Sequence, residues 1–288
     1  MKKRNHFKEL ALRLLSSKFF VIGGIIILVL LILSFISPYI IVHDPEKADL
    51  TKRLMKPEGF ANGWSGHILG TDAMGQDILT RLLIGSRISF RVAFTAVAIS
   101  SVIGVMLGIV SAYYGGFIDN LIMRFGDIQL SIPSMMLAVA VVAVLGTDLN
   151  NLILVLIITS WMQYARVVRS NVLIIKSMEF ISASKALGAS DLWIMFRQIF
   201  PNILTPLLIL VSQQLGFMIL MEAGLSFLGL GVPPPTPSWG VMISDGRSYI
   251  TIAPWVVVIP GMALMIAVLG FNFLGDGLRD ALDPKMRN

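Results

Sequence analysis

The histidines are the residues of this chain whose type most readily supports metal or acid–base chemistry. His6, His43 and His67 stand in three separate contexts, none has the spacing of a His-Glu-x-x-His site, and the chain has no cysteine to add a ligand. We therefore predict no metal site and interpret the histidines as solvated or interfacial. An external turn explains His67 as well as ligand contact does.

Two carboxylates, Glu222 and Asp148, lie at the ends of long apolar runs. Ionisable groups at such depth are candidates for function, because burying a charge in lipid is costly. An interfacial position explains Asp148 better. For Glu222 both interpretations stay open, because the glycine-rich stretch that follows it would fold toward a pathway. We name Glu222, Ser226 and Phe227 as candidate pathway or gate residues.

The sequence contains no pattern typical of nucleotide binding or of an enzyme active site. The chain contains no Gly-x-x-x-x-Gly-Lys-Ser/Thr pattern to cradle a phosphate. Its apolar runs contain no Ser/His, paired-Asp or metal-ligand set of the kind an intramembrane enzyme needs. We expect no catalytic residue, no cofactor bound by this chain and no enzymatic activity of its own.

The composition excludes an ordinary soluble protein. Of 288 residues, 56% are hydrophobic and only 14% are charged, where a soluble domain has roughly a quarter charged. The mean hydropathy is +0.80. The sequence therefore predicts an all-α polytopic membrane protein.

Six runs without charge are long enough, or nearly so, to cross a membrane as helices. A seventh, 223–244, contains too many glycines and prolines to face lipid, and we interpret it as an external loop or a re-entrant element buried in protein. The six predicted spans are Phe19–Val42, Val92–Ile118, Ile128–Thr147, Leu149–Ala165, Gln198–Met221 and Ser248–Gly275.

Small residues in the second predicted span, Gly104, Gly108 and Ser111, recur at spacings of four and three. Such stripes let two membrane helices approach closely. We expect the second span to pack tightly against another helix and to move with it as a unit.

Basic residues set the predicted orientation. The net charge is +6, and lysine and arginine before the first span are retained on the cytoplasmic side. Six spans then place both termini in the cytoplasm of a multi-pass protein in a cell membrane. The first span is too long for a signal peptide. Since orientation explains the basic start, we expect no nucleic-acid partner.

The loop at 169–202 carries the most specific pattern. Good helix formers surround residues 182–187, and Gly188 then interrupts them before Ser190 and Asp191, which are typical helix caps. This predicts a helix, a turn and a second amphipathic helix, with Pro201 closing the segment before the fifth span. Such an element would insert into a groove on a cytoplasmic partner or serve as an ordinary connector. The residues alone leave both open.

This loop resembles the EAA motif of permease subunits of binding-protein-dependent ABC importers. The Glu-Ala-Ala triplet corresponds to residues 182–184, the glycine to Gly188 and the closing Leu-Pro pair to Phe200-Pro201. Ser182 replaces the usual Glu, and Gln198 stands where the pattern has Ile. The ATPase-coupling residues that the resemblance implies are Ser182, Ala183, Ser184, Lys185, Ala186, Leu187, Gly188, Ala189, Ser190 and Pro201.

Other motifs are similar to one branch, the peptide and nickel permeases, and to the second of their two unlike membrane subunits. They lie at 67–83, 115–134, 222–240 and 272–284, and they follow the branch's order along nearly the whole chain. The first usually has Arg where this chain has Gln76.

The resemblance implies a type I ABC importer permease fold with six transmembrane helices. It divides the chain into a first helix with an external segment (1–87), a permease core (88–276) and a cytoplasmic tail (277–288). It also implies half of a translocation pathway for dipeptides or oligopeptides, with nickel or a metal chelate as the alternative cargo. The expected partners in a prokaryotic cell membrane are a second homologous permease, two ATP-binding subunits that carry ATP and Mg, and an external binding protein.

Two rival classes remain from the residues alone. A stand-alone secondary transporter or channel would show inverted repeats or ionisable residues well inside its spans, and the sequence shows neither clearly. A structural scaffold is opposed only by the ordered motifs.

Overall fold

The structure, a computed structural model, describes residues 12–59, 61, 63 and 66–282, and these residues form helices and no strand. A π turn, Met195–Ile199, joins the seventh and eighth helices. In chain order the helices are α1 Lys18–Ile40, α2 Ile78–Tyr114, α3 Gly116–Leu130, α4 Ser134–Leu145, α5 Leu149–Lys176, α6 Glu179–Ala186, α7 Asp191–Ile194, α8 Phe200–Phe227, α9 Trp239–Gly246 and α10 Trp255–Leu282.

Five helical stretches are long and apolar enough to cross a membrane: α1, α2, α5, α10 and the continuous run Asp191–Phe227, which joins α7 and α8. The pair α3 and α4, bent by 90°, gives a sixth crossing if it counts as one broken span. The prediction of an all-α polytopic membrane protein is therefore confirmed.

The third predicted span, Ile128–Thr147, is wrong as a continuous helix. Its first residues belong to α3, the helix is interrupted at residues 131–133, and α4 covers only 12 residues. Pro133 stands at the start of α4, where its fixed φ and missing N–H suit a helix start and oppose continuation from α3. At about 1.5 Å per residue, α4 is about 18 Å long, shorter than the hydrocarbon layer.

Each of the other spans runs beyond its prediction at one end or both, because a helix does not stop where a charge appears. Three fall short at the opposite end: α1 ends at Ile40, α2 ends at Tyr114 and α10 begins only at Trp255. The second helix begins at Ile78 rather than Val92, and it includes the proposed domain boundary at residue 88. The fourth predicted span, which is α5, continues past Ala165 to Lys176. Among the charged side chains on these end turns, Arg81 and Arg169 contact protein carboxylates, whereas Arg87 and Arg91 are exposed.

The most extensive helix contact is that of α2 with α5, and the stripe of small residues lies within it. A Cβ added at Gly104 would lie 2.5 Å from the Trp161 carbonyl oxygen, and one at Gly108 would lie 2.6 Å from that of Ala165. Both glycines therefore let the two backbones touch. The predicted close packing of the second span is confirmed, and α5 is its partner.

Gly104→Ala should force α2 and α5 apart and lower the free energy of unfolding by about 1–3 kcal/mol, as overpacking a core does. Gly261→Ala in α10 is the matched control, because nothing lies within 4 Å of a Cβ added there. Thermal unfolding of the full chain in detergent measures both. Equal unfolding temperatures for the two variants would contradict the tight α2–α5 contact.

The two ends of the helix bundle carry different elements. At one end, called the loop end, lie residues 112–119 and 176–199. At the other, called the segment end, residues 43–59 and 66–77 pack against residues 228–255; Trp255 Nε1, for example, donates to the Thr71 carbonyl at 3.4 Å. α1 packs on α10, where Gly23 and Gly277 allow backbone contact.

The glycine- and proline-rich run 223–244 is partly exposed loop and partly helix buried in protein: residues 227–229 and 233–235 are exposed, and the part from Ser238 onward packs in protein as the start of α9. α9 lies among α2, α8 and α10. Trp239 is fully buried, and its Nε1 donates to the Leu82 carbonyl at 3.0 Å. A Cβ at Gly240 would lie 2.5 Å from Ala223 Cα, so α9 and α8 meet backbone to backbone.

Candidate functional site

The predicted helix, turn and second helix of the 169–202 loop are present as α6, residues 187–190 and α7. Ile181 of α6 and Ile194 of α7 are buried, at 1% and 0% exposure. They pack into an apolar cluster with residues from α2 and α5, among them Ile109 and Val172. Two fully buried side chains thus anchor the short helices to the bundle.

The turn follows the sequence prediction closely. Gly188 has φ +82°, in the left-handed region that favours glycine. The Gly188 N–H donates to the Lys185 carbonyl at 3.0 Å, and the Ala189 N–H to that of Ser184 at 3.0 Å. Ser190 then caps α7 by accepting from the Trp193 N–H at 3.4 Å.

Most of the residues predicted to couple to an ATPase face outward. Ser184 and Ala189 are half-buried and the other eight are exposed, with Leu187 88% exposed. Leu192 and Trp193 of α7 are also exposed, at 64% and 48%. The element therefore offers an apolar tip on an anchored base.

Pro201 does not close the segment, contrary to the prediction. It lies in the first turn of α8, and α7, the π turn and α8 form one run of 37 residues. Proline fits there because the π turn just before it already interrupts the regular α-helical hydrogen-bond pattern. The second helix of the loop is thus continuous with the fifth predicted span.

Polar contacts that the sequence did not reveal fix the loop to the end of α2. The Tyr113 hydroxyl donates to Asp191 Oδ1 at 2.5 Å. Lys176 Nζ donates to the Tyr113 carbonyl at 2.6 Å, and Lys185 Nζ lies 4.9 Å from the centre of the Tyr113 ring. Tyr113 thus contacts the end of α5 and both short helices.

A second connection joins α3 to α5. Arg169 donates to both oxygens of Asp119, each at 2.6 Å, and Ser111 of α2 donates to Asp119 at 2.5 Å. A two-point pair of this kind fixes orientation as well as distance. The start of α3, the end of α2 and the middle of α5 are therefore held together beside the loop.

One departure from the EAA pattern, Gln198, contacts Ser184, which itself stands where the triplet has its second Ala. Gln198 Nε2 donates to Ser184 Oγ at 2.6 Å, across 14 residues. Ser184 occupies the third triplet position and Gln198 replaces Ile. The bond ties α6 to the π turn, so the substitutions form a pair rather than two separate losses.

Ser184→Ala should destabilise the loop more than the double variant Ser184→Ala/Gln198→Ile. The single change leaves the Gln198 amide without its partner, whereas the double change removes both groups. We expect a coupling energy of about 1 kcal/mol, measured as a double-mutant cycle on thermal unfolding. Additive effects of the two single changes would contradict the pairing.

Glu222 lies inside the protein at the segment end. It has 0% exposure, and its carboxyl group accepts hydrogen bonds from Ser89 of α2 at 2.9 Å, Ser226 of α8 at 2.8 Å and Ser238 at the start of α9 at 2.8 Å. Phe227 is 40% exposed. Glu222 thus links three elements, while Asp148 is exposed and caps α5.

The motif at 67–83 builds a compact turn at the segment end. Asp72 accepts from the N–H groups of Met74 and Gln76, both at 2.9 Å. Arg81 lies 3.5 Å from Asp72 and also bonds to the Gln76 side chain. Gln76 Nε2 in turn donates to the Glu46 carbonyl at 3.0 Å, so this chain uses Gln76 to tie the segment together.

The histidines were expected to be solvated or interfacial in separate contexts; His43 is half-buried, but His67 is not solvated and the two do not stand apart. His67 is buried, and its ring stacks on that of His43 with centroids 4.7 Å apart. His67 Nδ1 lies 3.1 Å from Asp77 Oδ1. The fold brings together residues that the linear sequence separates. His6 lies outside the described residues.

Comparison with known proteins places the chain in a family. The family described as "Binding-protein-dependent transport system inner membrane component" matches residues 104–288. The "N-terminal TM domain of oligopeptide transport permease C" matches residues 7–57.

Similar proteins of established name cover nearly the whole chain. The glutathione transport system permease protein GsiD of Pectobacterium atrosepticum is 38% identical over 99% of this chain and 93% of its own. The dipeptide transport system permease protein DppC of Alkalihalophilus pseudofirmus is 41% identical over 99% and 90%. That of Haemophilus influenzae is 41% identical over 92% and 90%.

A solved structure shows the same fold. The chain is similar to one from the MetNI methionine ABC transporter in an inward-facing conformation, with a TM-score of 0.59 and 23% identity over 72% of this chain and 98% of that one. The type I importer permease fold is therefore confirmed. With the family match over residues 104–288 and relatives of about 40% identity along its length, the chain belongs to the binding-protein-dependent transport system inner membrane components, in the permease C branch of the peptide systems.

Proposed function

We propose that this chain is one of two unlike membrane subunits of an ATP-driven importer for dipeptides or short oligopeptides. The observation that carries the proposal is the exposed α6–turn–α7 element on its buried base. A short, exposed apolar element held in one orientation is suited to a groove on a partner protein. The names of the dipeptide and glutathione relatives support a peptide as cargo.

The geometry suggests how a partner's movement would reach the membrane. An ATPase subunit docked on residues 182–190 would pull on α6 and α7. Since α7 continues into α8, and Tyr113, Asp119 and Arg169 tie α2, α3 and α5 to the same end, these helices would move as one rigid group. The tight α2–α5 contact would keep the group intact while access to a central cavity alternates.

The segment end would face outward. In this orientation both termini are cytoplasmic, the loop end meets two ATP-binding subunits, and an external binding protein approaches residues 43–77. The functional division follows as residues 1–87, the core 88–276 and the tail 277–288. The chain itself would bind no cofactor for transport, with ATP and Mg on the partner subunits.

We propose that Glu222, Ser226 and Phe227 close the outer end of the pathway indirectly. Glu222 holds the start of α9 by accepting from Ser238, Ser226 donates to the same carboxylate oxygen, and the ring of Phe227 lies 5.7 Å from the Arg247 guanidinium. These contacts would keep α9 in place between α2, α8 and α10. Movement of α8 would then carry α9 with it.

Gentle extraction of the tagged chain from its native membrane tests the assembly. We expect a second permease and ATP-binding subunits to copurify, with ATP hydrolysis that rises when a peptide-loaded binding protein is added to the reconstituted complex. Recovery of the chain alone, under conditions that preserve other membrane complexes, would favour a self-sufficient transporter or channel. Stimulation by a nickel chelate but not by peptides would reassign the cargo.

A further inference from the structure

We propose that His43, His67 and Asp77 form a binding site for a divalent transition-metal ion, with Zn²⁺ as the best-fitting ion. One nitrogen from each imidazole and one oxygen of Asp77 all lie within 4.8 Å of one another. The three residues come from separate places in the chain. His43 lies just after α1, His67 lies in the turn of the 67–83 motif, and Asp77 caps α2. The site lies outside the coupling loop and the Glu222 cluster.

The distances suit a small tetrahedral ion. Zinc lies about 2.0–2.2 Å from nitrogen and carboxylate oxygen, which puts neighbouring ligand atoms about 3.3 Å apart. His67 Nδ1 and Asp77 Oδ1 are 3.1 Å apart, close to that spacing. The half-buried His43 ring has to turn out of its stack on His67 to aim a nitrogen at the same ion, and its Nε2 contact to the Gly66 carbonyl is weak, at 3.5 Å.

The surrounding groups leave these ligand atoms available. Asp77 Oδ2 accepts from the Thr80 N–H at 2.8 Å, so Oδ1 faces His67 while the cap of α2 is kept. His67 Nε2 is buried without a hydrogen-bond partner among the described residues. The ring would coordinate through Nδ1, beside Asp77 Oδ1 as the second ligand atom.

Charge and space also fit a cation. Arg81, one helical turn after Asp77, lies 3.5 Å from Asp72 and 3.7 Å from Asp245, so nearby carboxylates offset its charge. A cavity of about 10 Å³ has His43 and Asp77 in its lining, room for roughly one water-sized ligand. Two imidazoles, a carboxylate and a water make a four-coordinate set of the kind zinc uses.

A bound ion would link the external stretch that contains His43 and His67 to the start of α2 at Asp77. It would connect the chain just after α1 to the first residue before α2 and to the turn that contains His67. The expected effect is a segment end that resists unfolding better with zinc than without it. Since only the folded chain brings the three residues together, zinc should stabilise that state.

The test uses the full chain with a tag that contains no histidine. We expect one equivalent of Zn²⁺ per chain, and Co²⁺ absorption in the visible range typical of nitrogen and oxygen ligands. His43→Gln and His67→Gln should each weaken Zn²⁺ binding at least about tenfold, measured by competition with a chromophoric chelator. His6→Gln is the matched control, since the chain has three histidines and no cysteine.

Thermal unfolding with and without Zn²⁺ separates binding from folding. Zinc should raise the unfolding temperature of the wild type and of His6→Gln but not that of His43→Gln, while all three unfold alike without metal. His43 is half-buried, so its variant should fold even if that of His67 does not. Wild-type chain that binds no zinc at micromolar concentrations, or unchanged zinc affinity in His43→Gln, would overturn the site.

Discussion

Gly188→Asp should leave the protein folded in the membrane and lower ATP-dependent uptake by about tenfold or more, since coupling free energies between sites are typically 1–3 kcal/mol. No atom lies within 4 Å of a Cβ added at Gly188, so the substitution causes no clash within the chain. It does strain a backbone at φ +82°. It also places a carboxylate on the exposed turn that we propose docks an ATPase.

Gly229→Asp is the matched control. Gly229 has φ +77° and equally open space, and its turn repeats the same hydrogen-bond pattern, with its N–H donating to the Ser226 carbonyl at 3.0 Å. It lies at the segment end, away from the loop. The control change introduces similar strain and the same charge there.

Three measurements separate the two variants: membrane abundance, copurifying ATP-binding subunits and uptake in vesicles. Both variants should be as abundant as the wild type, and only Gly188→Asp should lose the ATP-binding subunits or their coupling to uptake. Wild-type uptake by Gly188→Asp at normal abundance would remove the coupling role from this turn.

Glu222→Leu should lower the free energy of unfolding by at least about 3 kcal/mol, because it leaves three buried hydroxyl groups without their acceptor. Ser89, Ser226 and Ser238 are 0–3% exposed, so water does not readily replace the carboxyl group. Serines in helices can turn to a backbone carbonyl, and for that reason we take the lower end of the cost for each hydroxyl.

Thermal unfolding in detergent, with transport as a second readout, measures this effect. Glu222→Gln should lose less, since one acceptor oxygen and the side-chain shape remain. Ser244→Ala is the control, because it removes an exposed hydrogen bond between α9 and α8, from Ser244 to the Phe227 carbonyl at 3.0 Å. It should change the unfolding temperature little. A Glu222→Leu protein that unfolds at the wild-type temperature would show that the hydroxyls find other partners.

Local features of the fold were predictable from the sequence because their causes lie within a few residues. Gly188 and Ser190 mark the turn and the cap, and the Gly104–Gly108 stripe marks a close helix contact. Charge-free runs located the membrane helices but not their ends. Pro133 was a signal for the break between α3 and α4, yet an apolar window that continues through it hides the change of direction.

Contacts between distant residues could not be predicted in this way. Asp119 and Arg169 are 50 residues apart, and their pairing depends on how α3 and α5 are placed by the rest of the bundle. The same holds for His43 with His67. Gln198 was recognised as a departure from the family pattern, but only the fold shows that Ser184 is its partner.

The run from Asp191 to Phe227 is one continuous helical element, and we expect it to move largely as a rigid rod. Its 37 residues extend about 55 Å at 1.5 Å per residue, with Gly188 just before one tip and Glu222 near the other. A rod transmits tilt but not small local distortions. The π turn at Met195–Ile199 interrupts the regular helical hydrogen bonds near the loop. We therefore expect a force on the loop to reach Glu222 as a tilt of α8 about this turn. A substitution that makes the turn regular should change how far the Glu222 end of α8 moves.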